Sequence, residues 1–348
     1  MKSFKSQSGK MFKRVLTFIV VFVIVCVAAF NWILNSSFAT ERIVAVILKK
    51  NLHDCTLEKI TIGRQKFMYP GQLVLSDVHI QLNLKDDTFK INFKNVRFDG
   101  LNHLILMPAA LQVYADGVSF ESNQIKIPSA HLTVELLFRQ WAMNRWQGNV
   151  ALKDGEAYKY KIQNITADLK GNPRSLSVDN LKADFYQGNI SGKIDLDWTK
   201  DVRFQSSVKF AGVNIGALKE VDDSVYGQIE GIIQGSISLG GTAHNFNTLS
   251  LKVNVTKDGR LNAAFLKFVL PYIPRTEESK KLQNLMKQGL KVPVEVANVD
   301  IRSIDEHKLS GAVNLGVRQI NLNLNLPVDI LYDGNLFSLI EWYRKLGK

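Results

Sequence analysis

From Gln72 onward apolar and polar residues alternate, and that period excludes most folds before any motif is considered. In QLVLSDVHIQLNL, Val78, Ile80, Leu82 and Leu84 are apolar, while Asp77, His79, Gln81 and Asn83 between them are polar. A period of two predicts a strand with one buried face and one solvated face. The pattern returns over residues 89–98, 111–120, 125–136 and 158–169, then at Ile190, Ile194, Leu196 and Trp198. It continues at Leu249, Leu251, Val253 and Val255, at Val292, Val294 and Val296, over residues 309–317, and at Ile320, Leu322, Leu324 and Leu326. Asp86-Asp87, Asp99-Gly100, Asp154-Gly155, Gly171-Asn172-Pro173 and Asp258-Gly259 stand as turn signals at the spacing of an antiparallel meander. The chain is therefore expected to be mainly β.

Helical spacing is confined to short stretches. Ile43, Val46 and Ile47 predict a short amphipathic helix over residues 40–50. Further candidates are residues 137–146, 261–272 and 276–288, the last with Thr276 as N-cap, Glu277 and Glu278 in its first turn and Gly289 after its end. Residues 336–346 are the final candidate, with Phe337, Ile340, Trp342 and Tyr343 on one side and Arg344, Lys345 and Lys348 as basic neighbours.

Residues 15–34, VLTFIVVFVIVCVAAFNWIL, carry no charge and match the roughly 20 apolar residues of a membrane-spanning helix. Lys2, Lys5, Lys10, Lys13 and Arg14 precede them without an acidic residue. The positive-inside rule keeps such a tail in the cytoplasm and exports the chain beyond the span. A cleaved signal peptide, with Ser37-Phe38-Ala39 as its cleavage site, is the competing reading, but the apolar run exceeds the roughly 7–15 residues of a signal core. With five of the 44 basic residues in the tail, the exported part holds 39 against 32 acidic residues, about +7. That excess is scattered rather than blocked, as expected of a solvated polar face. Cys26 falls in the span and Cys55 stands alone outside it, so no intramolecular disulfide is expected.

The chemistry of catalysis is not legible. His53, His79, His103, His131, His244 and His307 are isolated from one another and from metal-ligand spacing. GSISLG at residues 235–240 lacks the glycine positions of a nucleophile elbow. Asp86-Asp87 and Asp222-Asp223 read as solvated turn carboxylates. No cofactor, metal or nucleic acid is expected, and no enzyme. The open question is what covers the apolar faces, since apolar surface is worth about 25 cal/mol per Å² removed from water. A sheet closed on itself as a sandwich satisfies that demand, and so does a trough lined by apolar residues and filled by a ligand.

The stretch from 183 to 261 carries a recognisable order. Tyr186-Gln187-Gly188-Asn189-Ile190-Ser191-Gly192 leads into KIDLD, followed by Ala211-Gly212-Val213-Asn214-Ile215-Gly216-Ala217-Leu218. Gly227-Gln228-Ile229-Glu230-Gly231, Gly235-Ser236-Ile237-Ser238-Leu239-Gly240-Gly241 and LSLKVNVTKDGRL complete it. This order, together with the single span and Pro70-Gly71-Gln72-Leu73-Val74-Leu75-Ser76-Asp77-Val78, resembles the AsmA family of Gram-negative envelope proteins, with its TamB and YdbH-like relatives. The resemblance implies an N-terminal transmembrane helix followed by an elongated, curved antiparallel β-sheet of the repeating β-groove kind, with a few short helices. It implies a cytoplasmic tail (1–14), a span (15–34), a β-rich periplasmic region (35–182), an AsmA-like β region (183–333) and a C-terminal helix (334–348). The implied activity is binding of phospholipid acyl chains for intermembrane lipid transport and outer-membrane biogenesis, with an outer-membrane or periplasmic protein as partner. Leu75, Val78, Ile80 and Leu82, with Ile190, Ile194, Leu196, Leu251 and Val253, are the expected lining. The rival is a non-transporting envelope scaffold with a closed β body that assists outer-membrane protein insertion.

Overall fold

The computed structural model describes residues 41–42, 45–46, 56–68, 71–84, 87–102, 109–139, 142–221, 229–242, 245–262, 277–288, 291–305, 307–317 and 322–331. The expected span at 15–34 and the expected helix at 336–346 lie outside them. Among the described residues no helix is long and apolar enough to cross a membrane. Glu41, Arg42, Ala45 and Val46 are helical, within the helix expected at 40–50.

Strands dominate: β1 (Thr56–Met68), β2 (Gln72–Leu84), β3 (Asp87–Asp99), β4 (Ala109–Glu121), β5 (Ile125–Arg139), β6 (Ala142–Ala157), β7 (Tyr160–Asn172) and β8 (Ser175–Phe185). They are followed by β9 (Gly188–Asp197), β10 (Arg203–Asn214), β11 (Ile229–Thr242), β12 (Phe246–Asn262), β13 (Lys291–Pro293), β14 (Val296–Ser303), β15 (Lys308–Val317) and β16 (Leu322–Leu331). The chain divides into two compact units, Met1–Ala183 with Asp195–Val202, and Asp184–Ile194 with Arg203–Lys348. In the first unit β1 to β8 are hydrogen-bonded neighbours in chain order. In the second the order is β9 to β12, then β14, β15 and β16, with β13 pairing β12. The pairs from β1–β2 to β6–β7 and from β10–β11 to β15–β16 are antiparallel.

Several local expectations change. Within the helix expected at 137–146, the described residues 137–139 and 142–146 are not helical: they end β5 and begin β6, with Leu136 opposite Trp146. Cross-strand pairing of apolar residues overrides a short run of helix formers, whose isolated turn is unstable. Asp154-Gly155 is not a turn either but lies inside β6, and the reversal falls at Tyr158-Lys159, whose φ angles of 51° and 74° suit a two-residue hairpin. Asp258-Gly259 likewise lies inside β12, with Asp258 at a φ of 53°. The helix expected at 261–272 begins instead as the end of β12 at Leu261 and Asn262, and its remainder is outside the described residues. The helix α1 (Glu277–Gln288) forms as expected, with Lys287 in its last turn. The Ile215–Glu220 segment is a 3-10 helix that buries Leu218.

In the first unit the alternation changes phase along a line. Gly63 and Asp77 sit between the partnered pairs Ile62–Val78 and Arg64–Ser76. Lys94 faces Asp77 between Val78–Phe93 and Ser76–Asn95, and Gly117 faces Lys94 between Phe93–Val118 and Asn95–Asp116. The inward residues thus run Leu73, Leu75, then Val78, Ile80, Leu82 in β2, and Phe89, Ile91, Phe93, then Val96, Phe98 in β3. Asp77 and Gly117 take φ of 55° and 63°, the left-handed region that Asp tolerates and glycine favours. The line ends as a bulge in β4, where Gly117 has no opposite number between Asp116–His131 and Val118–Ala130. Asn164 in β7 and Asn180 in β8 also take the left-handed region, with φ of 48° and 51°.

Candidate functional site

Alternation gives each strand one apolar face, and the register aligns those faces from strand to strand. In the first unit the result is a sealed core. Leu75 and Val78 are 0% exposed, Ile80 1% and Leu82 2%, among Phe89, Phe98, Leu101 and Leu111. Half-buried Val118, Phe120, Leu132, Leu196 and Trp198 pack against that cluster. Trp146 also lies in it, with its indole N–H buried and without a hydrogen-bond partner. The opposite face is wet and laced by cross-strand contacts. His79 Nδ1 lies 2.7 Å from Asn92 Oδ1, Asn92 donates to Ser119 Oγ at 2.9 Å, and Ser76 donates to Asn95 at 2.8 Å. Arg97 pairs with Asp99 at 3.1 Å and its guanidinium carbon stands 4.3 Å from the centre of the Tyr114 ring. The edge strand β1 is partly covered, since the Ile62 amide donates to Glu41 Oε1 at 2.7 Å.

The second unit is built by the same rules and ends differently. Its buried apolar residues stand toward the strand ends. Val213, Leu261, Val292 and Val317 are buried at one end and Leu249 with Leu309 at the other. Between them the apolar face is half-buried only: Ile190, Ile194, Leu251 and Val253 all retain contact with solvent. Gly235 stands on this face because the backbone comes close. A Cβ there would overlap the Lys252 carbonyl oxygen and lie 2.6 Å from the Phe210 ring. On the other face Lys252 pairs with Asp300 at 3.5 Å and Lys308 with Asp329 at 3.6 Å. Glu230 accepts a hydrogen bond from Lys291, which holds its carboxyl below the ordinary glutamate value; burial opposes this as the next influence, and the charges of Lys291, Arg260 and Lys219 add to the lowering. Ser310 and Lys308 lower the Asp329 carboxyl in the same way.

The nine residues expected as one lining therefore fall into two environments. Leu75, Val78, Ile80 and Leu82 come together in the sealed core of the first unit, and Leu196 packs on the edge of that core. Leu251 and Val253 share the half-buried face of the second unit with Val208, Ile237, Val299, Ile301 and Val313, which sequence reasoning did not single out. The signal for these was present in the alternation of β10, β11, β14 and β15, but it becomes a site only when the register is known. Among the described residues no three of His, Cys, Asp and Glu stand close enough to hold a metal ion.

Residues 154–268, about a third of the chain, match the family model described as TamB, N-terminal domain. Comparison with curated proteins and with solved structures gives no match. The family match and the long run of chain-ordered antiparallel strands fit an AsmA/TamB-like protein.

Proposed function

We propose that this is an inner-membrane-anchored envelope protein whose bulk lies in the periplasm and holds phospholipid acyl chains on an apolar β face. In that role it takes part in intermembrane lipid transport and outer-membrane biogenesis. The observation that carries the reading is a half-buried apolar face spanning consecutive strands, in a chain that matches the TamB family model. An apolar face left in contact with water is costly at about 25 cal/mol per Å², and a hydrocarbon chain removes that cost. The mechanism is passive. Aliphatic side chains replace water around the acyl chain, the headgroup remains in solvent, and no residue needs to act as acid, base or nucleophile. The phospholipid and the inner membrane are the immediate partners, with an outer-membrane or periplasmic protein at the receiving end.

Native mass spectrometry with lipid extraction on residues 36–348, purified from a diderm host, tests the reading. Stoichiometric phospholipid is the expected result, and a lipid-free, monodisperse, cooperatively melting protein refutes it. The second reading is a non-transporting scaffold for outer-membrane protein insertion. Its support is the sealed core around Leu75 and Phe98, which has the packing of a closed β body. Deleting residues 334–348 separates the two: loss of a partner in a pull-down with lipid content retained favours transport, and loss of the partner from a lipid-free protein favours the scaffold.

A further inference from the structure

The register of the second unit aligns one residue from each of five strands across its half-buried face. Val208 faces Ile237, Ile237 faces Leu251, Leu251 faces Ile301, and Ile301 faces Gly311. One step along the strands a second row runs from Phe210 through Gly235, Val253 and Val299 to Val313. All ten positions are half-buried and none is charged or polar; beyond them Val213, Leu261, Val292 and Val317 are buried toward one strand end and Leu249 with Leu309 toward the other, while Ile233, Val255 and Leu239 next to the rows are half-buried. Five strands at about 4.8 Å separation make the rows about 19 Å long, while one leaflet is about 15 Å of a bilayer core about 30 Å thick. A row thus accommodates one acyl chain laid across the strands. A polypeptide in extended form fits less well. Its N–H and C=O groups would be buried against a sheet face that offers no hydrogen-bond partner, and a hydrocarbon has no such groups.

We infer that the acyl chain of a lipid lies across these rows in the second unit, and that the apolar face of the first unit takes none. The inference rests on the lipid-binding reading above and narrows it to one place. Full-length protein in a diderm host, its phospholipids labelled with radiophosphorus, is fitted with a photo-crosslinking residue at Leu251 or Ile301, or at Phe120 or Leu132. The latter two are half-buried on the inward side of the first unit, so exposure alone does not separate the pairs. The expected result is at least tenfold more lipid adduct from Leu251 and Ile301 than from Phe120 and Leu132. Comparable adducts from both units overturn the confinement and leave the lipid reading standing. No adduct from any position overturns both. A crosslink from Leu251 to residues 263–276 of the same chain, in place of lipid, shows that a protein segment covers the rows and overturns the assignment. A Leu251→Asp variant provides an independent check, with a fall of at least tenfold in co-purified lipid expected while the fluorescence of Trp146 in the first unit stays native. Undiminished lipid in that variant overturns the inference.

Discussion

Asp77→Val should destabilise the first unit by about 1–2 kcal/mol, although the side chain at this position is exposed and lies away from the core. Leu75 and Val78 stand three residues apart, and the left-handed backbone of Asp77 between them lets both point inward. An extended residue at this position would turn one side of β2 over, since a strand places successive side chains on opposite faces. The less costly choice would turn out Leu73 and Leu75, which are 4% and 0% exposed, rather than Val78, Ile80 and Leu82. Full burial of a leucine side chain is worth about 1.5–3 kcal/mol, so two amount to about 3–6 kcal/mol. That exceeds the roughly 1–2 kcal/mol of a branched residue in the left-handed region, so the valine variant keeps the phase change and its loss of stability is that strain. Urea denaturation read by tryptophan fluorescence is the assay, because Trp146 lies in the same core at 6% exposure. Asp77→Gly serves as the control: it keeps the count and suits a φ of 55°, so its stability should stay within about 1 kcal/mol of the parent. A valine variant as stable as the glycine control would refute the phase argument, because only the left-handed backbone separates the two.

Other substitutions test neighbouring steps. Gly117→Val places a branched side chain at a φ of 63°, with its Cβ 2.7 Å from that of Lys94, and a loss of more than about 2 kcal/mol in urea is expected. Gly235→Val forces a Cβ into the Lys252 carbonyl oxygen, so the second unit should become sensitive to limited proteolysis while Trp146 fluorescence is unchanged. Arg97→Ala removes the Asp99 ion pair and the Tyr114 stack from a wet surface, and a thermal melt should register less than about 1 kcal/mol. The lowered carboxyl of Glu230 contributes stability that is complete above the ordinary glutamate value and is lost as pH falls through the lower folded value. Glu230→Gln should therefore be less stable than the parent at neutral pH, with the difference closing in acid. A pH-independent difference would show that the charge on Glu230 is not its source.

Much of this fold is legible in the residues because alternation is a local property. A polar residue between two apolar ones assigns each to a face whatever the strand later pairs with, and β2, β3, β4, β5 and β15 fall where that pattern runs. The start of β6 is not legible in this way, because Ala142-Met143-Asn144-Arg145-Trp146 has helix-forming composition and its strand character comes from pairing with β5. The passage from Leu75 to Val78 shows the phase change in sequence, but its meaning depends on Gly63, Lys94 and Gly117 falling in line with Asp77 in other strands. By itself the sequence determined which side of each strand is apolar, and hence that Leu75 and Leu251 are both inward residues. Only the tertiary structure decided that the face bearing Leu75 is sealed and the face bearing Leu251 is half open. Burial is set by which distant side chains arrive over a face, and a period-two pattern carries no record of them.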